Sequence, residues 1–416
     1  MKSFYTSLAI VVTALLLDSC KPVQRISSIN FQDTYKTSPE GINPSYYVFH
    51  NSEDLSTLYF KISSDEMYYV QPGGEGSFKS NINVNCRVLP SYNSNRLTDS
   101  ASVNIIDSLL FESGQYIFDS IRFSTPVNEE SVLHITLTDK NQRLQHNSII
   151  RINKTGRFTI QNFIFYDEND EMLFYPFIGN NKLVKIQHNS DSDFVMTGHR
   201  YTHEHRVASP PFTGTDYSFF IPDAELVFDL DFFYGAAIFE FSEKGHYHFF
   251  IPDEPENGFS IYYLHEGFPY ITTHDAMVKP LRYLVSNTEY EKLINSADIR
   301  SAIDRFWVGV AGDPGRAASL VNRYYGNVQN ANKYFTSYKE GWKTDRGMIY
   351  TIFGAPNTVR YTDNIERWEY KDTWRMMELS FDFVYTPHTL SDNHYVLKRS
   401  SEYRNPWFSG IENWRK

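Results

Sequence analysis

Between Tyr46 and Ile152, apolar and polar positions alternate in seven short runs: Tyr46 to Phe49, Leu55 to Ile62, Ile82 to Leu89, Val103 to Ile106, Tyr116 to Phe123, Val132 to Leu137 and Ser148 to Ile152. A period of two sends successive side chains to opposite faces, so each run predicts a strand with one buried face. Turn formers such as Pro72-Gly73-Gly74 separate the runs. Seven strands over this length predict an immunoglobulin-like sandwich, although the diagnostic Cys-Trp-Cys set is absent. Asn153-Lys154-Thr155-Gly156 marks a boundary. The style then repeats from Arg157 to about Thr273, in Phe158 to Tyr166, Met172 to Phe177, Leu183 to Ile186, Phe194 to Thr197, Tyr217 to Ile221, Leu226 to Phe228, Ala237 to Phe241, Tyr247 to Ile251 and Phe259 to Leu264. Phe219-Phe220-Ile221-Pro222-Asp223 recurs as Phe249-Phe250-Ile251-Pro252-Asp253. Two copies do not make a solenoid; they read as equivalent strand ends, where proline stops pairing and aspartate begins a turn.

Past Met277 the period lengthens. Ser286 and Glu289 form a capping-box pattern, and Ile299, Ile303, Phe306, Trp307 and Val310 share one helical face. Asp313-Pro314 reads as a helix start, followed by a stripe of Ala317, Val321, Tyr324, Val328, Ala331 and Phe335. Gly341 is expected to end this helix in a left-handed conformation. Trp342 can bury its ring beside the stop, while Thr344 and Asp345 can hold a turn by bonding backbone N–H groups. Met348 to Phe353 reads as a strand, Gly354-Ala355-Pro356-Asn357 as a turn, and Thr358 to Tyr361 and Ile365 to Tyr370 as a hairpin with Trp368 facing the core. Strands at Met377 to Tyr385 and His394 to Lys398 complete the pattern.

Between Met277 and Tyr370, Pro280-Leu281-Arg282-Tyr283, Phe306-Trp307, Gly341-Trp342-Lys343-Thr344-Asp345-Arg346-Gly347, Ile349-Tyr350, Gly354, Pro356 and Trp368-Glu369-Tyr370 resemble the GWxTD domain family. The resemblance implies the C-terminal module of a bacterial envelope protein, and the family brings no settled molecular role. The insert between the Gly-x-Pro turn and the Trp-x-Tyr strand is short here. Gly341, Gly347, Gly354, Pro356 and Trp368 read as structural. Trp342, Thr344, Asp345 and Arg346 are the candidates for contacting a partner from a rigid turn, with packing the main reading. No catalytic set stands near them in sequence.

The N-terminus adds an address. Lys2 and the apolar stretch Leu8 to Leu17 form a leader too short to span a bilayer, and Leu17-Asp18-Ser19-Cys20 looks like the cleavage box of bacterial lipoproteins, despite an unusual aspartate. Cys20 would then be the lipid-bearing first residue. Each buried methylene adds about 0.8 kcal/mol, so two or more chains would anchor the protein stably. Lys21 to about Pro44 reads as a polar tether reaching ~25–30 Å. Lys21-Pro22-Val23-Gln24-Arg25 lacks the acidic residues that send lipoproteins to the surface in some bacteria, which favours an outer-membrane location facing the periplasm. The domain plan is therefore 1–19 leader, 20–44 anchor and tether, 45–153 and 154–275 β-sandwiches, and 276–416 an α+β module.

Composition agrees. The 30 Tyr and 32 Phe favour strands, and a net charge of −11 disfavours nucleic acid and broad docking on anionic membranes. Cys86 alternates with Ile82, Val84 and Val88 and should point into a sheet core, leaving no disulfide within one chain. No second apolar stretch is long enough for a transmembrane helix, so the body is expected to be soluble. His199, His203 and His205 with Glu204 are the one set with ligand-like spacing; a solvated loop is the favoured alternative to zinc, and no metal or cofactor is expected. Asp167-Glu168-Asn169-Asp170-Glu171 lacks the pattern of an EF-hand loop and reads as a hairpin tip. The expectation is a non-catalytic scaffold or adaptor that binds other envelope proteins; the alternative is a glycan-binding or glycan-processing lipoprotein.

Overall fold

All seven strands of the first alternating region form. They are β1 (Ser45–His50), β2 (Leu55–Ser63), β3 (Lys79–Leu89), β4 (Asp99–Ser108), β5 (Tyr116–Ser124), β6 (Glu130–Asp139) and β7 (Leu144–Asn153). The computed structural model describes residues 25–36, 41–71, 73, 76–108, 114–179, 182–214, 221–372 and 377–415. The expected leader, Cys20 and most of the expected Tyr217 to Ile221 strand lie outside these residues. Antiparallel sheets of order β1-β2-β5 and β4-β3-β6-β7 face each other. Val48, Phe60 and Phe123 from one meet Val84, Cys86, Ile135 and Leu137 from the other. Cys86 is fully buried, as its alternation requires, and burial lifts its thiol to about 11.

A second sandwich follows, with strands β8 (Phe163–Tyr166), β9 (Leu183–His188), β10 (Phe194–Tyr201), β11 (Leu226–Phe232), β12 (Ala236–Glu240), β13 (Gly245–Ile251) and β14 (Glu254–Tyr263). Its sheets run β12-β9-β8 and β11-β10-β13-β14. Two expected strands are corrected. Phe158 and Thr159 form a bend, Ile160–Asn162 is a 3-10 turn capped by Thr159 before β8 begins, and Met172 to Phe177 makes only isolated bridges, to Tyr166 and Tyr262. Pro176 interrupts the latter run because it has no N–H to give a ladder. Asp167 to Glu171 is the expected hairpin tip, with Asp167 Oδ1 accepting from the backbone N–H of Asn169 and Glu171. The two sandwiches share β1: Val48 enters the first core, while Tyr47 and Phe49 enter the second. Tyr47 Oη donates to the Phe163 carbonyl at 2.7 Å across that contact.

The chain then turns helical, through α1 (His274–Val278), α2 (Asn287–Ile294), α3 (Ile299–Ala311), α4 (Pro314–Phe335), α5 (Asp345–Phe353) and α6 (Arg404–Trp414). Ser286 and Glu289 make the expected capping box on α2, and Asp313 caps α4 through the N–H of Arg316. Strands β15 (Thr358–Tyr361), β16 (Ile365–Asp372), β17 (Met377–Tyr385) and β18 (Tyr395–Leu397) form one antiparallel sheet. Trp368 is fully buried beneath it. Among the described residues, no helix is long and apolar enough to cross a membrane.

Met348 to Phe353 is helix, not strand, because the side chain of Thr344 accepts from Gly347 N–H and starts α5. Every residue from Arg346 to Ile352 is buried, and an all-round apolar run of that kind has no period to distinguish helix from strand.

The stretch expected to be a loose tether is docked over its described part. Ile26 and Phe31 are fully buried in the core of the C-terminal helices and sheet. Phe31 N–H donates to the Val359 carbonyl at 2.9 Å, Val359 N–H donates to Asn30 Oδ1 at 2.9 Å, and Tyr350 Oη donates to the Tyr35 carbonyl at 2.6 Å. Phe31 sits edge-on to His134 of β6 and to Tyr361 of β15, with centroids 5.5 and 5.6 Å away, pinning the first sandwich to the C-terminal sheet. Phe31→Ala is expected to destabilise the protein by about 3–5 kcal/mol, as for other fully buried rings. Chemical denaturation checks this, and an unshifted midpoint would show the segment to be undocked in solution.

Candidate functional site

The heptapeptide from Gly341 to Gly347 is built by close backbone approach. Helix α4 stops at Phe335, and Gly341 opens a 3-10 turn, Gly341–Lys343, that lies on it. A Cβ on Gly341 would stand 2.0 Å from the Ala331 carbonyl oxygen, and one on Gly347 would stand 1.8 Å from the Gly341 carbonyl oxygen. Gly341 is therefore required for contact and does not adopt the expected left-handed conformation, which Gly312 does at the end of α3 with φ +80°. Between the glycines, Thr344 Oγ1 accepts from Gly347 N–H at 3.0 Å and donates to the Gly341 carbonyl at 2.7 Å. The Trp342 N–H donates to Asn332 Oδ1 at 3.2 Å, its carbonyl accepts from Tyr283 Oη at 3.0 Å, and its ring packs edge-on to Tyr283.

The two charges behind the threonine point inward. Asp345 accepts from Leu397 N–H at 2.8 Å and takes both outer nitrogens of Arg399 at 2.7 and 3.0 Å. Arg346 donates to Glu366 at 2.9 Å and to the Asn393 carbonyl at 3.0 Å, with its guanidinium 3.9 Å from the Tyr395 ring centre. Glu366, fully buried, also accepts from Trp368 Nε1 at 2.7 Å. Burial opposes the charge on Arg346, yet Glu366 and the surrounding tyrosines hold its pKa above the ordinary value. Burial raises Tyr35, with Glu366 adding to the shift, and its hydroxyl lies 2.9 Å from that of Tyr361. Trp342, Thr344, Asp345 and Arg346 thus spend their polar groups inside the chain. Asp345 and Arg346 are turned into the fold and are not displayed on an open turn, because buried charges need bonded counter-charges. Gly354 closes α5 and accepts from Tyr370 Oη at 2.9 Å, and Pro356 beside it is buried.

Residues 245–416, from the first residue of β13 onward, match the model of the GWxTD domain. The chain carries a GWxTD domain. Among curated proteins none matches. Two solved structures are similar at 9% identity: the BSP domain of a biofilm associated protein, with a TM-score of 0.18 over 56% of this chain and 54% of that one, and the C-terminal 282-residue fragment of intimin in complex with the intimin-binding domain of the translocated intimin receptor, with a TM-score of 0.16 over 88% of this chain and 96% of that one. The chain thus spans about half the length of the first, 54%.

A cleft of about 470 Å³ opens where the GWxTD turn meets the second sandwich. Its wall joins segments far apart in sequence: Tyr201 to His205, Lys244 to His246, Leu264 to Glu266, side chains between Ile271 and Lys279, and Tyr338 to Glu340 with Trp342 and Lys343. His203, Glu204 and His205 therefore stand beside the motif tryptophan, a meeting that no sequence spacing announces. His199 does not line this cleft; its Nδ1 lies 3.1 Å from Tyr201 Oη and its ring packs edge-on to Phe250. Among the described residues, no group of three His, Cys, Asp or Glu is placed to hold a metal ion.

Imidazoles gather around Tyr338. Its ring stacks on His388 with centroids 4.3 Å apart and meets His205 and His394 edge-on at 5.0 and 5.2 Å. Burial holds His205 and His388 down to about 4 and His394 to about 3; His203 and Lys339 add to the shift of His205, Lys339 to that of His388, and His388 and Lys339 to that of His394. An unfolded imidazole titrates near ~6.5, so above that pH neither state is charged and stability is unaffected. As pH falls from ~6.5 toward 4, the unfolded chain takes up protons that the folded one refuses, and stability drops. Urea midpoints measured between those limits should decline steadily, and less steeply in His388→Phe. A profile equally steep in the variant would remove His388 from the account.

Proposed function

We propose that the chain is a non-catalytic scaffold or adaptor of the cell envelope, held by lipid on Cys20 at the outer membrane, facing the periplasm, and binding other envelope proteins. The observation that carries this reading is the docking of residues 25–35 into the GWxTD domain. Only five steps of chain separate Cys20 from Arg25, a reach of at most roughly 18 Å at ~3.5 Å per residue. An anchor at Cys20 would hold the body close to the bilayer, with the sandwiches as the surfaces on offer. The internal use of Asp345 and Arg346 supports the same reading, since the motif then serves architecture.

The test is made in cells. Wild-type protein should sediment with outer membranes and Cys20→Ser should move to the soluble fraction. Photo-crosslinkers at exposed sandwich positions such as Tyr234 should capture discrete envelope proteins. Membrane retention by Cys20→Ser, or an absence of crosslinked partners across such positions, would overturn the proposal. Glycan hydrolysis in the cleft is less well supported: burial favours a protonated Glu204, but Lys343 and Lys279 hold its pKa below the ordinary range, so it is a poor general acid.

A further inference from the structure

Charge in the cleft beside the GWxTD turn is balanced at every lysine of its inner wall except Lys339. Lys343 pairs with Glu204 at 2.7 Å and with Glu340, and Lys279 shares Glu204 at 3.5 Å. Glu266, Asp275 and Lys244 stand exposed at the rim, where water screens them. Lys339 is partly withdrawn from solvent, and among the described residues no carboxylate lies within ion-pair distance of it. Its ammonium reaches only the Arg206 carbonyl at 3.4 Å and the Tyr338 ring, 5.6 Å away. Its nearest acidic influence, Asp345, has both oxygens engaged by Arg399, while Lys343 and Arg399 repel it. A partly buried cation without its own counter-ion is costly unless an anion arrives.

A second group in the same wall is also incomplete. His246 is 3% exposed, and its Nδ1 has no hydrogen-bond partner. The Ser260 hydroxyl donates to the Leu390 carbonyl at 2.9 Å, so its oxygen must accept from His246 Nε2 at 2.8 Å. That arrangement places the imidazole proton on Nε2 and leaves Nδ1 as a lone-pair acceptor, which calls for an O–H donor.

We propose that this cleft binds a small hydroxylated anion, a sugar acid or sugar phosphate, with its carboxylate or phosphate on Lys339 and a hydroxyl donating to His246 Nδ1. The volume of about 470 Å³ fits this size class, within the ~300–1,000 Å³ usual for small-molecule sites. The inference is independent of the envelope-scaffold reading, which rests on anchoring and on the sandwich surfaces.

The groups facing Lys339 are Lys343, Arg399, Asp345, His205, His388 and His394, and the imidazoles are neutral at pH 7. Burial, together with Lys343 and Arg399, lowers the Lys339 ammonium to about 8. Binding should therefore be strongest near neutrality and fade as pH rises through that value.

Glucuronate, glucose 6-phosphate and neutral glucose are the probes, titrated calorimetrically into the full chain and followed by histidine ring resonances. At least one of the anions should bind below about 10 mM and shift the His246 signals, while glucose does not. Lys339→Gln should weaken binding at least tenfold, Lys339→Arg should retain it, and wild-type affinity should fall between pH 7 and 9. Binding by glucuronate alone or by glucose 6-phosphate alone identifies which oxyanion the site takes. Failure of both anions to bind, equal affinity in folded Lys339→Gln, or a flat pH profile would overturn the proposal.

Discussion

Gly347→Ala should unfold the C-terminal core at markedly lower denaturant, with a loss of about 3 kcal/mol or more, the severe end of overpacking. The new methyl would lie 1.8 Å from the Gly341 carbonyl oxygen and 2.9 Å from the Trp342 Cα, so the obstacle is backbone on a turn pressed against α4. No flexible side chain can swing aside. The controls are Gly309→Ala and Gly326→Ala, in α3 and α4, where a Cβ meets nothing within 4 Å. Those two should be neutral or stabilise by about 0.5–1 kcal/mol through helix propensity. Equal behaviour of all three variants would mean that the Gly341–Gly347 contact is not what the folded state depends on.

Breaking the buried ion pair should be comparably severe. Arg346→Met leaves Glu366, fully buried, with only the neutral donors Trp368 Nε1 and the Tyr35 hydroxyl among the described residues, and Glu366→Gln leaves a guanidinium stacked between rings without its charge partner. Each single change is expected to cost about 3–5 kcal/mol, the usual penalty for an orphaned interior charge. Replacing both should cost less than the sum, because the double variant buries no unpaired ion. The four-variant cycle in urea decides it. Strict additivity would show that Arg346 and Glu366 do not act as a pair.

Much of the β architecture was legible because its signal is local. A strand with one buried face must alternate, and the seven runs from Tyr46 to Ile152 do so over the residues that became β1 to β7. Helices α3 and α4 were legible for the same reason: Ile303 and Trp307, then Tyr324, Val328 and Ala331, mark one face, and Asp313 marks an end. Helix α5 was hidden because it is enclosed on all sides. The docking of residues 25–35 was not legible because a segment that packs through Ile26, Phe31 and Tyr35 on two short 3-10 turns, Ile26–Ser28 and Gln32–Thr34, is too brief to show a period. Helix α6 was not anticipated, although Trp414 Nε1 donates to the Ile352 carbonyl and closes the core.

Local reading also fails where function is assembled from a distance. Trp342, Thr344, Asp345 and Arg346 were recognisable as a motif, but which partners consume them depends on Asn332, Leu397, Arg399 and Glu366. The cleft needs His205, His246 and Lys339 together, and no window of sequence contains all three.

Strand β1 carries one further consequence. Because Val48 serves one core and Tyr47 and Phe49 the next, the two sandwiches are not exchangeable beads on a string. A recombination event that joined a foreign partner at Asn153 would strip the cover from two aromatic rings and leave a sticky face. Lineages carrying this protein should therefore inherit the pair as one block, with crossovers tolerated only outside it.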